Sequence, residues 1–169
     1  GVDINPVCVS WLRGQGMVAY AMLADKLPFD SNSFDALLLD NVLEHIEDPE
    51  PILSEMDRVL KDNGILVIDE TYYGFGAPSM IKFLNNFKNL FVIRSFSKTF
   101  GLPGIRFGCL LSNNDINISN FRGGYEVSYL TYKIVSYFLD NINIIDDYIK
   151  ECIEGRDYLI NFLKSKNIK

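Results

Sequence analysis

The sequence predicts an α/β fold: a three-layer α/β/α arrangement with a mostly parallel sheet and a helical C-terminal part. Three observations predict it. Short apolar runs at 34–39, 65–68 and 90–94 have the length and composition of strands covered on both faces. Helical periodicity lies between them, the alternation that parallel sheets require. Beyond residue 127 the pattern is helical to the end.

The elements follow in order. Residues 1–5 read as a short buried strand ending at Asp3, and Pro6–Gly14 as a helix. An apolar stretch at 17–24 closes on the Leu27-Pro-Phe turn. Phe34–Leu39 is a strand, and Asp40 stands at its end. Glu47-Asp-Pro-Glu-Pro51 starts a helix, with prolines where the first turn tolerates them and acids that complement the dipole. Ile52, Leu53, Met56, Val59 and Leu60 continue it at helical spacing, and Asn63-Gly64 signals its stop. Ile65–Ile68 is a strand ending at Asp69. A helix follows near 79–87, a strand at 90–94, a strand at 106–111, and helices at 127–139 and 144–164. In open α/β sheets the chemistry sits at the carboxyl ends of strands, where Asp3, Asp40 and Asp69 all fall.

Composition narrows the function. The 169 residues are 48% hydrophobic and 22% charged, which suits a folded domain. A net charge of −6 without a basic cluster argues against nucleic acid or an anionic membrane as partner. No apolar run approaches the roughly 20 residues of a membrane span. Cys8, Cys109 and Cys152 form neither a disulfide framework nor a metal-ligand cluster, so no metal is expected and reduced thiols point to the cytoplasm. The chain opens directly on a strand-like segment, which leads us to expect further sequence upstream.

The chemistry concentrates at Ser95-Phe-Ser-Lys98-Thr-Phe-Gly-Leu-Pro-Gly-Ile-Arg106-Phe-Gly. A lysine flanked by small hydroxyl residues can form a Schiff base with a carbonyl. Ser95, Ser97 and the planar fork of Arg106 can hold a phosphate. Asp69, at a strand end in Asp69-Glu-Thr-Tyr72-Tyr, can keep a pyridine nitrogen protonated, and Tyr72 can hydrogen-bond a ring oxygen. These are the needs of a pyridoxal-phosphate site.

On these motifs, residues 65–169 resemble the fold-type I aminotransferases, and the histidinol-phosphate aminotransferase group in particular. Phe121-Arg-Gly-Gly-Tyr-Glu and Glu154-Gly-Arg-Asp-Tyr-Leu extend the likeness. The resemblance implies Lys98 as the Schiff-base lysine and proton carrier. It implies Asp69 at the pyridine nitrogen, Tyr72 at the ring oxygen, and Ser95, Ser97 and Arg106 at the phosphate. It further implies a small-molecule amino donor and a keto acid or aldehyde acceptor. Relatives build each site from two subunits, so it implies a homodimer. The family's Asn-Pro-x-x-Pro-Thr-Gly element, its ring-stacking aromatic and an upstream phosphate-binding helix start are not in the sequence.

Residues 1–64 resemble a different family, the class I S-adenosylmethionine-dependent methyltransferases. The likeness rests on Gly1-Val-Asp3-Ile-Asn, Leu27-Pro-Phe with Ser33-Phe-Asp, Asn41-Val-Leu-Glu-His45-Ile and Arg58-Val-Leu-Lys-Asp-Asn-Gly64. It implies Asp3 as a ribose ligand of S-adenosylmethionine, although the family's first strand and Gly-x-Gly loop are absent. The two likenesses join near Gly64–Asp69 without a linker, inside a helix–turn–strand unit common to both families. We therefore expect one compact α/β unit of hybrid origin. The resemblance implies a truncated aminotransferase-like protein, with a methyltransferase and an inactive fusion remnant as the alternatives.

Overall fold

The computed structural model describes residues 1–114 and 127–168. They divide into two compact units, one of residues 1–38 and 47–67, the other of residues 39–46 and 68–169. The Phe121–Glu126 motif lies outside the described residues.

The first unit begins with β1 (Val2–Asp3), parallel to β2 (Tyr20–Ala21), with α1 (Pro6–Gly14) between them. Its local chemistry fixes this start. Asp3 Oδ1 accepts from Asn5 N (2.7 Å), Asn5 Oδ1 caps α1 by accepting from Val7 N (2.9 Å), and Pro6 opens the helix. Then come β3 (Phe34–Leu39), α2 (Glu50–Val59) and most of β4 (Leu60–Asp69). Glu55 and Arg58 on α2 hold the Leu27–Phe29 turn. Glu55 Oε1 accepts from Leu27 N (2.5 Å), and Arg58 donates to the carbonyls of Leu27 (3.2 Å) and Phe29 (2.9 Å). Arg58 first, and then the Leu27 amide, hold the Glu55 carboxyl down to about 2. Val9, Ile52, Met56 and Val59 are buried here; full burial of such a side chain contributes about 1.5–3 kcal/mol.

In the second unit the end of β4 leads to β5 (Leu90–Ser95), which pairs antiparallel with β6 (Gly108–Leu111) through Val92↔Leu111 to Ser95↔Gly108. The strand order of the four-stranded sheet is β3-β4-β5-β6. The α/β class is borne out, and the antiparallel pair sits at one edge of the order, as mixed sheets allow. Helices α3 (Tyr129–Asp140) and α4 (Ile142–Ser165) complete the unit, α3 capped by the Ser128 hydroxyl, which accepts from Thr131 N (3.0 Å). Ile68, Met80, Val92, Phe96, Val135 and Ile145 are its buried centre. Among the described residues no helix is long and apolar enough to cross a membrane.

Several elements depart from expectation. The first strand is two half-buried residues rather than a buried strand, because β1 has only β2 beside it, and Ile4 is exposed. β3 ends the sheet order and is not covered on both faces; Leu39 is buried but Leu38 is 63% exposed. The helix ends at Val59 and not at Asn63-Gly64. Leu60 turns extended (ψ 139°), and Lys61-Asp-Asn63 follow in the strand. Gly64 is tightly packed there: a Cβ would lie 2.6 Å from Leu60 Cδ1, and the Leu60 side chain would have to move. The helix expected at 79–87 is one 3-10 turn, Ile81–Phe83, just after Met80, whose amide donates to the Glu70 carboxylate. The strand expected from Arg106 begins at Gly108, since Arg106 adopts φ 50°, ψ 49° and cannot extend the ladder.

Candidate functional site

Asp69 closes β4, and the segment after it turns back at once, with Tyr73 N donating to Glu70 O (3.0 Å). Asp69 Oδ1 accepts from Thr71 N (2.8 Å) and Thr71 Oγ1 (2.5 Å), which fixes the half-buried carboxylate at the strand end. Asp40, just past β3, lies against it. Partial desolvation, a hydrogen bond with Asp69, and the negative charges of Asp69 and Glu44 raise the Asp40 carboxyl above the usual range. Asn41 Nδ2 also donates to Asp40 (2.9 Å).

The lysine loop leaves the end of β5. Ser95 Oγ accepts from Ser97 N (3.1 Å), leaving the Ser95 hydroxyl proton to donate elsewhere. Gly101 N donates to Lys98 O (2.9 Å), and Leu102 N to Phe96 O (3.0 Å), so the loop is a tight turn around an exposed Lys98. Gly101 is needed at φ +64° because the Tyr148 ring lies 3.3 Å from where a Cβ would stand. The Lys98 Nζ stands 5.5 Å from the centroid of the Tyr72 ring. Thr99, 4% exposed, joins the two loops: its hydroxyl donates to Tyr73 O and approaches Thr71 O at 3.4 Å.

Lys98, Tyr72, Asp69, Ser95 and Ser97 thus occupy two loops that Thr99 ties together. Arg106 follows on the same unit in the left-handed region, an uncommon conformation for a non-glycine residue. Its Nη1 donates to Pro103 O (3.2 Å), and the structure does not bring its guanidinium onto either serine. Asp3 belongs to the other unit, where its carboxylate is engaged by Asn5 N.

Three groups were not singled out from the sequence, the buried Glu70 and Thr99 and the half-buried Arg94. Glu70 is 4% exposed and accepts from Ser79 Oγ (3.0 Å), Met80 N and Arg94. Arg94 also lies with its guanidinium carbon 3.4 Å from the centroid of the Tyr73 ring. Thr99 is the third. The signal for the pair was legible: an arginine inside the apolar run Leu90-Phe-Val-Ile-Arg94 needs a carboxylate, and Glu70 ends the neighbouring run.

An amine, a carboxylate, a phenol, two small hydroxyls and a guanidinium on neighbouring loops make a donor set that fits a phosphorylated pyridine aldehyde. The amine can attack the aldehyde, the carboxylate can hold a ring N–H, and the hydroxyls and cation suit phosphate.

Comparison with known proteins bears on both halves. A family model described as aminotransferase class I and II matches residues 49–165, and one described as methyltransferase domain matches residues 1–68. The histidinol-phosphate aminotransferase of Sulfurisphaera tokodaii is 30% identical over 109 residues, 63% of this chain and 30% of that protein. That of Thermoanaerobacter sp. is 32% identical over 107 residues, 62% of this chain and 30% of that protein. The chain therefore spans about a third of the length of the curated relatives it matches. Among solved structures, L-threonine-O-3-phosphate decarboxylase from Porphyromonas gingivalis has a TM-score of 0.69 at 20% identity, covering 89% of this chain and 49% of that one. Histidinol-phosphate aminotransferase from Sinorhizobium meliloti, in complex with pyridoxal-5'-phosphate, has a TM-score of 0.60 at 22% identity, covering 73% and 35%. These two likenesses concern the fold. The first takes in residues of the methyltransferase-matched segment as well, since residues 69–169 are only about 60% of the chain (101 of 169).

Proposed function

Because the chain belongs to the class I and II aminotransferases, we propose that its second unit holds pyridoxal phosphate at Lys98 and serves transfer of an amino group between an amino acid and a keto acid or aldehyde. The observation that carries this reading is the meeting of Lys98 with Tyr72, on a segment that begins at Asp69. When bound, the cofactor supplies an electron sink for charge developing at the substrate's α-carbon. Everything else falls to the chain. Lys98 Nζ binds the cofactor and holds or returns the proton at the α-carbon. Asp69, fixed by Thr71, faces the ring nitrogen with a carboxylate and keeps its proton in place. Tyr72 donates to the ring oxygen. Ser95, Ser97 and Arg106 take the phosphate, Arg106 by releasing the Pro103 carbonyl. The reading extends to a small-molecule substrate, a homodimer and a cytoplasmic setting, the last supported by the three free thiols.

The test is an absorption titration with pyridoxal phosphate, followed by borohydride reduction and peptide mapping, beside Lys98→Ala. The expected result is a new band and an adduct confined to Lys98, both lost in the variant. Scattered adducts on surface lysines, equal in Lys98→Ala, would overturn the reading in favour of an inactive remnant. A second reading, S-adenosylmethionine binding with Asp3 on the ribose, is favoured by the methyltransferase match over residues 1–68. It requires Asp3 to let go of Asn5 N, and it predicts cofactor-dependent thermal stabilisation that Asp3→Ala removes.

A further inference from the structure

We propose that Glu70 and Arg94 are positioning residues that set Asp69 and Tyr72 against Lys98, an inference that rests on the pyridoxal-phosphate reading of that site. The Glu70 side chain is 1% exposed and takes hydrogen bonds from four donors: Met80 N, Ser79 Oγ (3.0 Å), Arg94 Nε (3.1 Å) and Arg94 Nη2 (2.9 Å). Arg94 Nη2 also donates to Ser79 Oγ (2.9 Å). Burying such a pair gains little over apolar residues of the same volume, so holding strands together does not account for it. Its geometry does something apolar packing cannot, because every contact is directional.

The contacts form a chain that ends at the lysine. Glu70 directly follows Asp69, so its four bonds immobilise the backbone that carries the Asp69 carboxylate. The Arg94 guanidinium, held by Glu70, lies over the Tyr73 ring with its carbon 3.4 Å from the centroid. Tyr73 N donates to Glu70 O, and Tyr73 O accepts from Thr99, the residue after Lys98. Residues 69–73 are thus fixed at the start by Glu70 and at the end by Arg94 and Thr99. Tyr72 lies between these anchors, and its distance from Lys98 follows from them. Arg94 also precedes Ser95 on β5, so the same guanidinium is joined covalently to the proposed phosphate side.

The variants are Glu70→Gln, which keeps the shape and removes the charge, and Glu70→Gln/Arg94→Met, which removes both charges. Amide hydrogen exchange on the protein alone, without cofactor, is the first readout. Glu70→Gln is expected to speed exchange at Tyr72, Tyr73 and Thr99 at least tenfold while Val92 and Leu110 of the β5–β6 pair stay as in wild type. Unchanged exchange at the three loop amides, or equal acceleration at Val92 and Leu110, would overturn the proposal. The second readout is the Lys98 share of the borohydride-fixed adduct. We expect it to fall at least tenfold in both variants, including the double variant, whose urea midpoint stays near wild type. Wild-type selectivity for Lys98 in both variants would overturn the proposal too. If wild-type protein itself forms no Lys98 adduct, it is the pyridoxal-phosphate reading that fails, and the exchange readout alone decides whether Glu70 and Arg94 position the loop.

Discussion

Thr99→Val removes one hydroxyl from the junction of the two loops and leaves the shape of the side chain nearly unchanged. Thr99 is 4% exposed, and its hydroxyl donates to Tyr73 O, with Thr71 O at 3.4 Å. Valine fills the same space, including the methyl that packs toward Gly74, so no cavity opens and the whole effect comes from the hydrogen bond. A net intramolecular bond of this kind contributes about 1 kcal/mol, and a carbonyl left unsatisfied in a buried site raises the cost to about 1–3 kcal/mol. That range corresponds to about 5- to 150-fold in the opening equilibrium. The loss should be local, since β5 and β6 keep their ladder. The assay is native-state hydrogen exchange, read at residues 71–75 and at 96–101. Both segments should lose protection together and by the same factor, because one bond joins them. Thr99→Ser keeps the donor and should stay within about twofold of wild type. Loss of protection in one segment only, or a change below about twofold in Thr99→Val, would refute the argument that this hydroxyl couples the loops.

Two further predictions concern the rest of the structure. Gly74→Ala places a Cβ at φ +98°, 2.9 Å from Ile149 Cδ1 and 3.2 Å from Thr99 Cγ2, and should destabilise by roughly 1–3 kcal/mol, measured as a lower urea midpoint; an unchanged midpoint would mean α4 gives way without cost. Glu55 is held at about 2 against an ordinary 4.5, so the folded state binds its proton more weakly than the unfolded chain does. The stability this confers is present above about pH 4.5 and is lost as pH falls through about 2. Glu55→Gln should flatten that part of the acid denaturation profile, and a profile identical to wild type would show that the Leu27–Phe29 turn is held without it.

The sequence disclosed what is local. Lys98 in its serine-flanked turn, Asp69 at a strand end and Gly101 at a tight bend can each be read from neighbouring residue types. So can α1, whose cap Asn5 and opening Pro6 are consecutive, and β5, whose apolar run is bounded by Asn89 and Ser95. Legibility failed where a distant residue decided the outcome. The stretch from Ser79 has helical spacing, yet Ser79 and Met80 are tied to Glu70, nine positions upstream, and only one 3-10 turn follows. Leu60 belongs to a helical stripe by periodicity, but it is extended and its side chain packs over Gly64, four positions on. Asp40 reads as one more acid at a strand end, and only the neighbouring strand places it against Asp69. Arg106 reads as a phosphate ligand, while its hydrogen bond to Pro103 depends on a backbone conformation that residue type does not announce.

That left-handed conformation at Arg106 bears on how such a chain ages. An L residue held there costs about 1–2 kcal/mol relative to the right-handed region, and glycine would hold the same turn without that cost. Selection for stability alone therefore pulls position 106 toward glycine, while selection for a cation at the turn resists. In a lineage released from its chemistry, drift toward glycine at this position would meet no opposition. Position 106 is thus a gauge of whether descent has kept a use for the site.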